Sequence, residues 1–122
     1  MSESDEQKEI IKYFRTKYPE YALCLRVSQS GGFRGAGRRG AIRTALITAM
    51  GGVTGESDIA ILLPRGKFGS LLIEHKKHDN TAGPTDAQID YIRHHNDCGN
   101  CATVTKGISM AKHAIDQYMS LV

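Results

Sequence analysis

The sequence predicts an α/β fold: a mixed β-sheet flanked by α-helices, in one compact domain. Segments of helical and strand-like periodicity alternate in the order helix, strand, helix, strand, strand, helix, strand, helix, the pattern of a layered α/β domain. Two of the strands are joined by a short turn-rich stretch, so they read as a hairpin of neighbours. The chain's 122 residues, 40% of them hydrophobic, suit one core and leave no room for a second domain, so residues 1–122 form a single unit.

Each element has its own signal. Ser2 to Tyr18 is an amphipathic helix, with Gln7, Ile10 or Ile11, Phe14 and Tyr18 recurring on its inward side. Pro19 ends it, and Ala22 to Ser28 alternates as a strand. A glycine- and arginine-rich loop, QSGGFRGAGRRG, leads to a helix over Ala41 to Met50 that stops at Gly51-Gly52. Ile59 to Leu63 and Leu71 to Ile73 are the two hairpin strands, around a turn that spells PRGKFG. The polar stretch HDNTAGPTD is a loop, after which Pro84, Thr85 and Asp86 announce a helix to about Asp97. Gln88, Tyr91, Ile92 and His95 share one face of that helix, and Gln88 in its first turn points back toward the sheet. Cys101 to Thr105 is a further strand. Gly107 to Val122 is a last amphipathic helix, with Ile108, Ala111, Ile115, Tyr118 or Met119, and Val122 inward.

The hairpin carries the chemistry. Side chains alternate along a strand, so Asp58, Ala60 and Leu62 share one face, as do Leu72, Glu74 and Lys76. Folding about Gly66 sets residue 60 opposite residue 72 and Asp58 opposite Glu74. Two carboxylates on facing strands offer oxygen ligands to a hard divalent cation, and Lys76, one pleat beyond, sets a positive charge beside it. An isolated Glu or Lys at a strand end is usually just solvated; the conjunction is what points to a site.

That conjunction, an Asp entering one strand and E-x-K leaving the next, resembles the metal motif of the PD-(D/E)-x-K nuclease superfamily. With G-E-S-D before the first strand, E-H-K-K after the second and Gln88 in the following helix, the chain is similar to the virus-type replication-repair nuclease (VRR-NUC) family over most of its length. The resemblance implies a restriction-endonuclease-like sheet and an Mg²⁺- or Mn²⁺-dependent deoxyribonuclease. It implies that Asp58, Glu74 and the backbone carbonyl of His75 bind the ion, that Lys76 orients the attacking water or stabilises transition-state charge, and that Gln88 positions Lys76 or the water. The E-x-x-x-Q of Glu3 and Gln7 resembles the family's N-terminal acidic motif and makes Glu3 a further candidate ligand. Asp5 and Glu6 compete with it for that role. Two positions depart from the pattern: Ser57 where a proline is common, and His75 where an apolar residue is common. Neither removes a ligand, while a histidine at 75 raises the expectation of a proton carrier.

Charge points the same way. The formal net charge is +3, yet from Tyr21 to Gly55 there is no acid, and Arg26, Arg34, Arg38, Arg39 and Arg43 lie there. The stretch is a candidate phosphate-contacting surface, with Arg34, Arg38, Arg39, Arg43 and Lys77 as DNA-binding candidates. GAGRRG matches G-x-G-x-x-G, but it does not follow directly on an apolar strand and too little chain remains for a dinucleotide fold. His94 and His95 are adjacent, about 100° apart on a helix, and cannot chelate one ion together. Three cysteines, Cys24, Cys98 and Cys101, are odd in number, and one C-x-x-C without a second pair is a weak zinc signal.

No apolar run approaches the roughly 20 residues of a membrane span, and the polar start is no signal peptide, so a cytoplasmic protein with no membrane partner is expected. Small stand-alone members of the family resemble junction-resolving enzymes, which implies branched or four-way-junction DNA as partner and a homodimer, with Phe33 and Phe68 as exposed apolar candidates for its surface. Two alternatives stay open: a non-catalytic DNA-binding adaptor, and a flap, single-strand or RNA nuclease.

Overall fold

The first helix, α1, spans Glu3–Lys17 because its N-terminus is satisfied: Ser2 accepts from the Asp5 N–H at 3.0 Å, and the Asp5 carboxylate accepts from the Ser2 N–H at 3.0 Å. Pro19 opens a 3₁₀ segment, Pro19–Cys24, and strand β1 is only Leu25–Val27. The strand expected from Ala22 therefore starts three residues late. Helix α2 is Gly37–Ala49, beginning four residues earlier than the apolar pattern suggests, with its first turn built from the glycine-arginine stretch. The hairpin follows as β2, Ile59–Ile61, and β3, Leu71–Lys76. Then come α3 (Asp86–Asp97), β4 (Cys101–Lys106) and α4 (Ile108–Ser120). This computed structural model describes residues 1–28 and 37–122, and of residues 37, 38 and 44 the backbone alone.

The sheet has the order β1-β2-β3-β4, antiparallel across the first three strands and parallel between β3 and β4, so it is mixed. Ala60 pairs with Leu72 and Ile59 with Ile73, the register expected from a fold about Gly66. Period-two alternation then divides the sheet's faces. Ile59, Ile61, Leu71 and Ile73 form one face and are sealed, with Ile10 and Phe14 of α1 and Ala111, Ile115 and Tyr118 of α4, into one core. Each of the Ile, Leu and Phe side chains contributes roughly 1.5–3 kcal/mol by leaving water. Asp116 ties the two helices together over this core by accepting from Tyr13 at 2.6 Å and Tyr18 at 2.7 Å.

Three expectations change here. At the start of α1 the buried residue is Glu6, not Gln7. At the other end of the chain Val122 is fully exposed. Phe68 packs on the core beside Tyr118, with ring centroids 6.4 Å apart, and so is no exposed dimer residue, while Phe33 lies outside the described residues. The second sheet face, carrying Ala60, Leu62, Leu72 and Glu74, has α3 beside it, packed along β4. Among the described residues no helix is long and apolar enough to cross a membrane.

Candidate metal centre

At the far end of that second face the carboxylates meet. Asp58 directly precedes β2, and its Oδ2 accepts from the backbone N–H of His75 at 3.0 Å, which fixes the carboxylate across the strand gap from Glu74. Glu74 is 2% exposed. Its Oε1 accepts from Gln88 Nε2 at 2.6 Å and lies 3.5 Å from Lys76 Nζ, while its Oε2 is buried with no hydrogen-bond partner among the described residues. Gln88 therefore holds Glu74 itself and not Lys76. It can do so because it is the third residue of α3, locked in a capping box: its Oε1 accepts from the Thr85 N–H at 2.8 Å, and its own N–H donates to the Thr85 hydroxyl at 3.2 Å. Gly55 brings α3 this close. At φ +84°, a Cβ at position 55 would fall 2.4 Å from the Ala87 backbone, so only glycine lets the chain entering β2 pass the first turn of α3.

The electrostatics follow from crowding negative charge in a dry place. Burial, then the neighbouring Asp58 charge, push the Glu74 carboxyl up to about 7, against the pull of Lys76. Burial, and after it the charge of Glu3, also raise Asp58, against the hydrogen bond from His75 N–H and the charge of Lys76. Glu3 thus joins the cluster through its field, and its Oε2 accepts from the Lys77 N–H at 3.3 Å. A divalent cation suits such a place: it favours the ionised carboxylates that burial disfavours and gives the orphaned Oε2 a partner. Among the described residues no three His, Cys, Asp or Glu side chains are close enough to hold an ion by themselves. Two carboxylates, a backbone carbonyl and water are the donor set available, which fits Mg²⁺ or Mn²⁺ better than a softer metal.

The imidazole of His75 points to the opposite face and is fully buried. Its Nε2 lies 2.9 Å from Glu6 Oε1 and its Nδ1 2.9 Å from Thr105 Oγ1. With Glu6 ionised, Nε2–H donates to it while Nδ1 shares a hydrogen bond with the Thr105 hydroxyl, so both ring nitrogens are engaged on the face away from the carboxylate site and the ring does not reach it. Glu6 also accepts from His78, at 2.7 Å from Nδ1 and at 3.3 Å from the backbone N–H. Sequence reasoning weighed Glu6 only as a rival of Glu3; what marks it out is its place at i−4 from Ile10 on the buried stripe.

Of the DNA-binding candidates, Arg39 and Arg43 are exposed on α2. Lys77, just past β3, lies 3.5 Å from Asp79. Arg38 belongs to α2 by its backbone, its side chain falling outside what is described, as does Arg34 altogether. Cys24, Cys98 and Cys101 are all free thiols, and Cys98 Sγ lies 3.6 Å from His94 Nε2.

No family model matches the sequence, and no curated protein is similar enough to count as a match. A solved structure does match: a VRR_NUC domain protein, 26% identical, superposing with a TM-score of 0.82 over 99% of this chain and 90% of that one. Taken with the Asp58, Glu74 and Lys76 pattern at the end of its central hairpin, this likeness shows that the chain shares the α/β fold of a VRR_NUC domain protein and supports its assignment to the VRR-NUC family.

Proposed function

We propose that this protein is a cytoplasmic, divalent-metal-dependent DNA endonuclease that hydrolyses phosphodiester bonds in branched DNA, four-way junctions foremost. The observation that supports this most is the buried Glu74 carboxylate, gripped on one oxygen by Gln88 and Lys76 and bare on the other, in a VRR-NUC fold. Asp58, Glu74 and the His75 carbonyl would hold Mg²⁺ or Mn²⁺, with Glu3 as an additional ligand at the edge. Bound there, the ion supplies Lewis-acid polarisation of a phosphate oxygen and a water of lowered pKa.

The chain's own residues do the rest. Gln88 holds one oxygen of the Glu74 carboxylate and leaves the other, buried one for the ion. The His75 N–H holds Asp58 in place, so neither carboxylate has to be ordered on binding. Lys76, whose charge already faces Glu74, orients the attacking water or stabilises the charge that grows on the phosphate in the transition state. Arg39 and Arg43, with Arg34, Arg38 and Lys77, contact phosphates flanking the scissile one and set affinity rather than chemistry. The reading includes a homodimer. Ile42, Leu46 and Met50 recur at four-residue steps and are 57%, 58% and 79% exposed, an apolar stripe that a second copy would cover.

Plasmid nicking with and without EDTA tests the activity, and a labelled panel of duplex, flap, fork, four-way junction and single strands tests the preference. Symmetric cuts at the junction are expected. Cleavage confined to flaps or single strands would favour the other nuclease class, and inertness on every substrate with both metals would favour a non-catalytic adaptor, against which the intact Asp58, Glu74 and Lys76 argue. Sedimentation showing a monomer at micromolar concentration, unaltered by Leu46→Glu, would remove the dimer.

A further inference from the structure

Beside the carboxylates, on the same sheet face, runs a trough of about 560 Å³, the size range of small-molecule sites. Its floor is apolar: Ala60, Leu62 and Leu72, of which Leu62 is 51% exposed. One wall is α3, where Tyr91 and His95 stand with ring centroids 4.3 Å apart. These two lie three and seven residues after Gln88, on the helix face that grips Glu74, so wall and metal centre share one rigid support. The opposite wall is β1, the sheet's edge, through Arg26.

The polar groups distinguish what this trough takes. Ser57, next to Asp58, is 5% exposed, and its buried hydroxyl oxygen has no hydrogen-bond partner among the described residues although it borders the open trough. A buried hydroxyl without a partner costs stability unless a ligand supplies one. Charge is balanced, with one cation, Arg26, and one acid, Glu56, among the lining side chains. A groove tracking several phosphates would carry a surplus of cations, whereas an apolar floor, an aromatic wall and one unpaired hydroxyl match the flat face and polar edge of a nucleobase.

We infer that the trough receives the base of one unpaired deoxynucleotide adjoining the scissile phosphate. The base lies over Ala60 and Leu72, stacks against Tyr91 and offers an edge to Ser57. Its own phosphate reaches Arg26 at the rim. The inference rests on the nuclease reading for its placement relative to the cut, and it deepens that reading: DNA with a nucleotide free of its pair at the cleavage point is bound in preference to unbroken duplex, because extruding a paired base costs unstacking.

Binding in EDTA separates this inference from catalysis. The probe is a fluorescein-labelled single-stranded oligodeoxynucleotide of eight thymidines, followed by anisotropy, beside the same octamer with abasic nucleotides. Wild-type protein is expected to bind the thymidine octamer about tenfold tighter than the abasic one, the scale of a base–aromatic stack. Tyr91→Ala, which removes the wall, and Ala60→Leu, which fills the floor, both erase that preference. The slope of log K against log salt stays unchanged in each, since no phosphate contact is lost. Circular dichroism melts confirm that both variants fold. Equal affinity of the wild type for the two octamers, or folded variants that keep its preference, would overturn the trough while leaving the nuclease reading intact. Preference retained by a protein inert on every DNA with metal present would uphold the trough and remove the nuclease.

Discussion

Glu6 and Glu74 are both buried carboxylates, each 2% exposed, and they flank β3 from opposite sides. Glu6 is saturated: burial alone would raise it, but hydrogen bonds from His78, His75 and the His78 N–H overcome that and bring it down to about 2. Glu74 is left short: burial, then Asp58, drive it up to about 7, and one of its oxygens has no partner among the described residues. The same residue type in the same degree of burial is therefore a structural clamp on one face and, on the function proposed here, a poised ligand on the other. What separates them is whether the fold supplies donors to both oxygens, and withholding them is how a protein keeps affinity for a cation in reserve.

Breaking the poised side should cost most. Asp58→Ala, Glu74→Ala and Lys76→Ala are expected to raise the activation barrier by about 3 kcal/mol or more, on the order of 10²-fold in single-turnover cleavage, with circular dichroism unchanged. Binding to DNA in EDTA should hold or tighten in the Asp58 and Glu74 variants, since negative charge leaves a phosphate site.

Next is the saturated side. Glu6→Ala leaves His75 buried with an unpaired ring nitrogen and should lower unfolding stability by about 2–3 kcal/mol in urea denaturation. The two carboxylates also predict opposite pH effects on the metal-free protein. Glu6 has a folded pKa of about 2, below its ordinary 4.5, so its contribution is present above 4.5 and disappears as pH falls toward 2. Glu74 has a folded pKa of about 7, above its ordinary 4.5, so stability is full below 4.5 and declines as pH rises through 7. Glu74→Gln should remove that second decline and gain about 1 kcal/mol at pH 8, a small rise in melting temperature that calorimetry can detect.

The smallest effect concerns neither carboxylate. Arg39→Ala with Arg43→Ala should weaken every DNA shape alike and flatten the salt dependence, each lost phosphate contact taking about 0.9 from the slope on B-form duplex. An unchanged slope would detach α2 from the DNA surface.

The hairpin could be read because its information is local: alternation and a turn at Gly66 suffice to set Ala60 against Leu72. Gln88 was legible as an inward-facing residue, but its partner was not, since which of Glu74 and Lys76 it reaches depends on how close Gly55 lets α3 approach. Glu6 was obscured for a like reason. Its histidine partners lie 69 and 72 residues away, and a helical stripe read alone offers Gln7 as well. The strand before residue 25 failed because Pro19 starts a 3₁₀ segment that spends Ala22 to Cys24 on turns. The trough was invisible for the most general reason, that Arg26, Leu72 and Tyr91 come from three separate elements and Ser57 from a loop, and they share nothing along the chain.

The contrast between the two carboxylates comes down to one measurement, the shift in melting temperature that millimolar Mn²⁺ produces at pH 8 in wild type, Glu74→Gln and Glu6→Gln. The cation should raise the melting temperature of the wild type, and of Glu6→Gln from its lower starting point, and leave Glu74→Gln unmoved. An equal rise in Glu74→Gln, or none in the wild type, would contradict the assignment of Glu74 as the poised metal ligand.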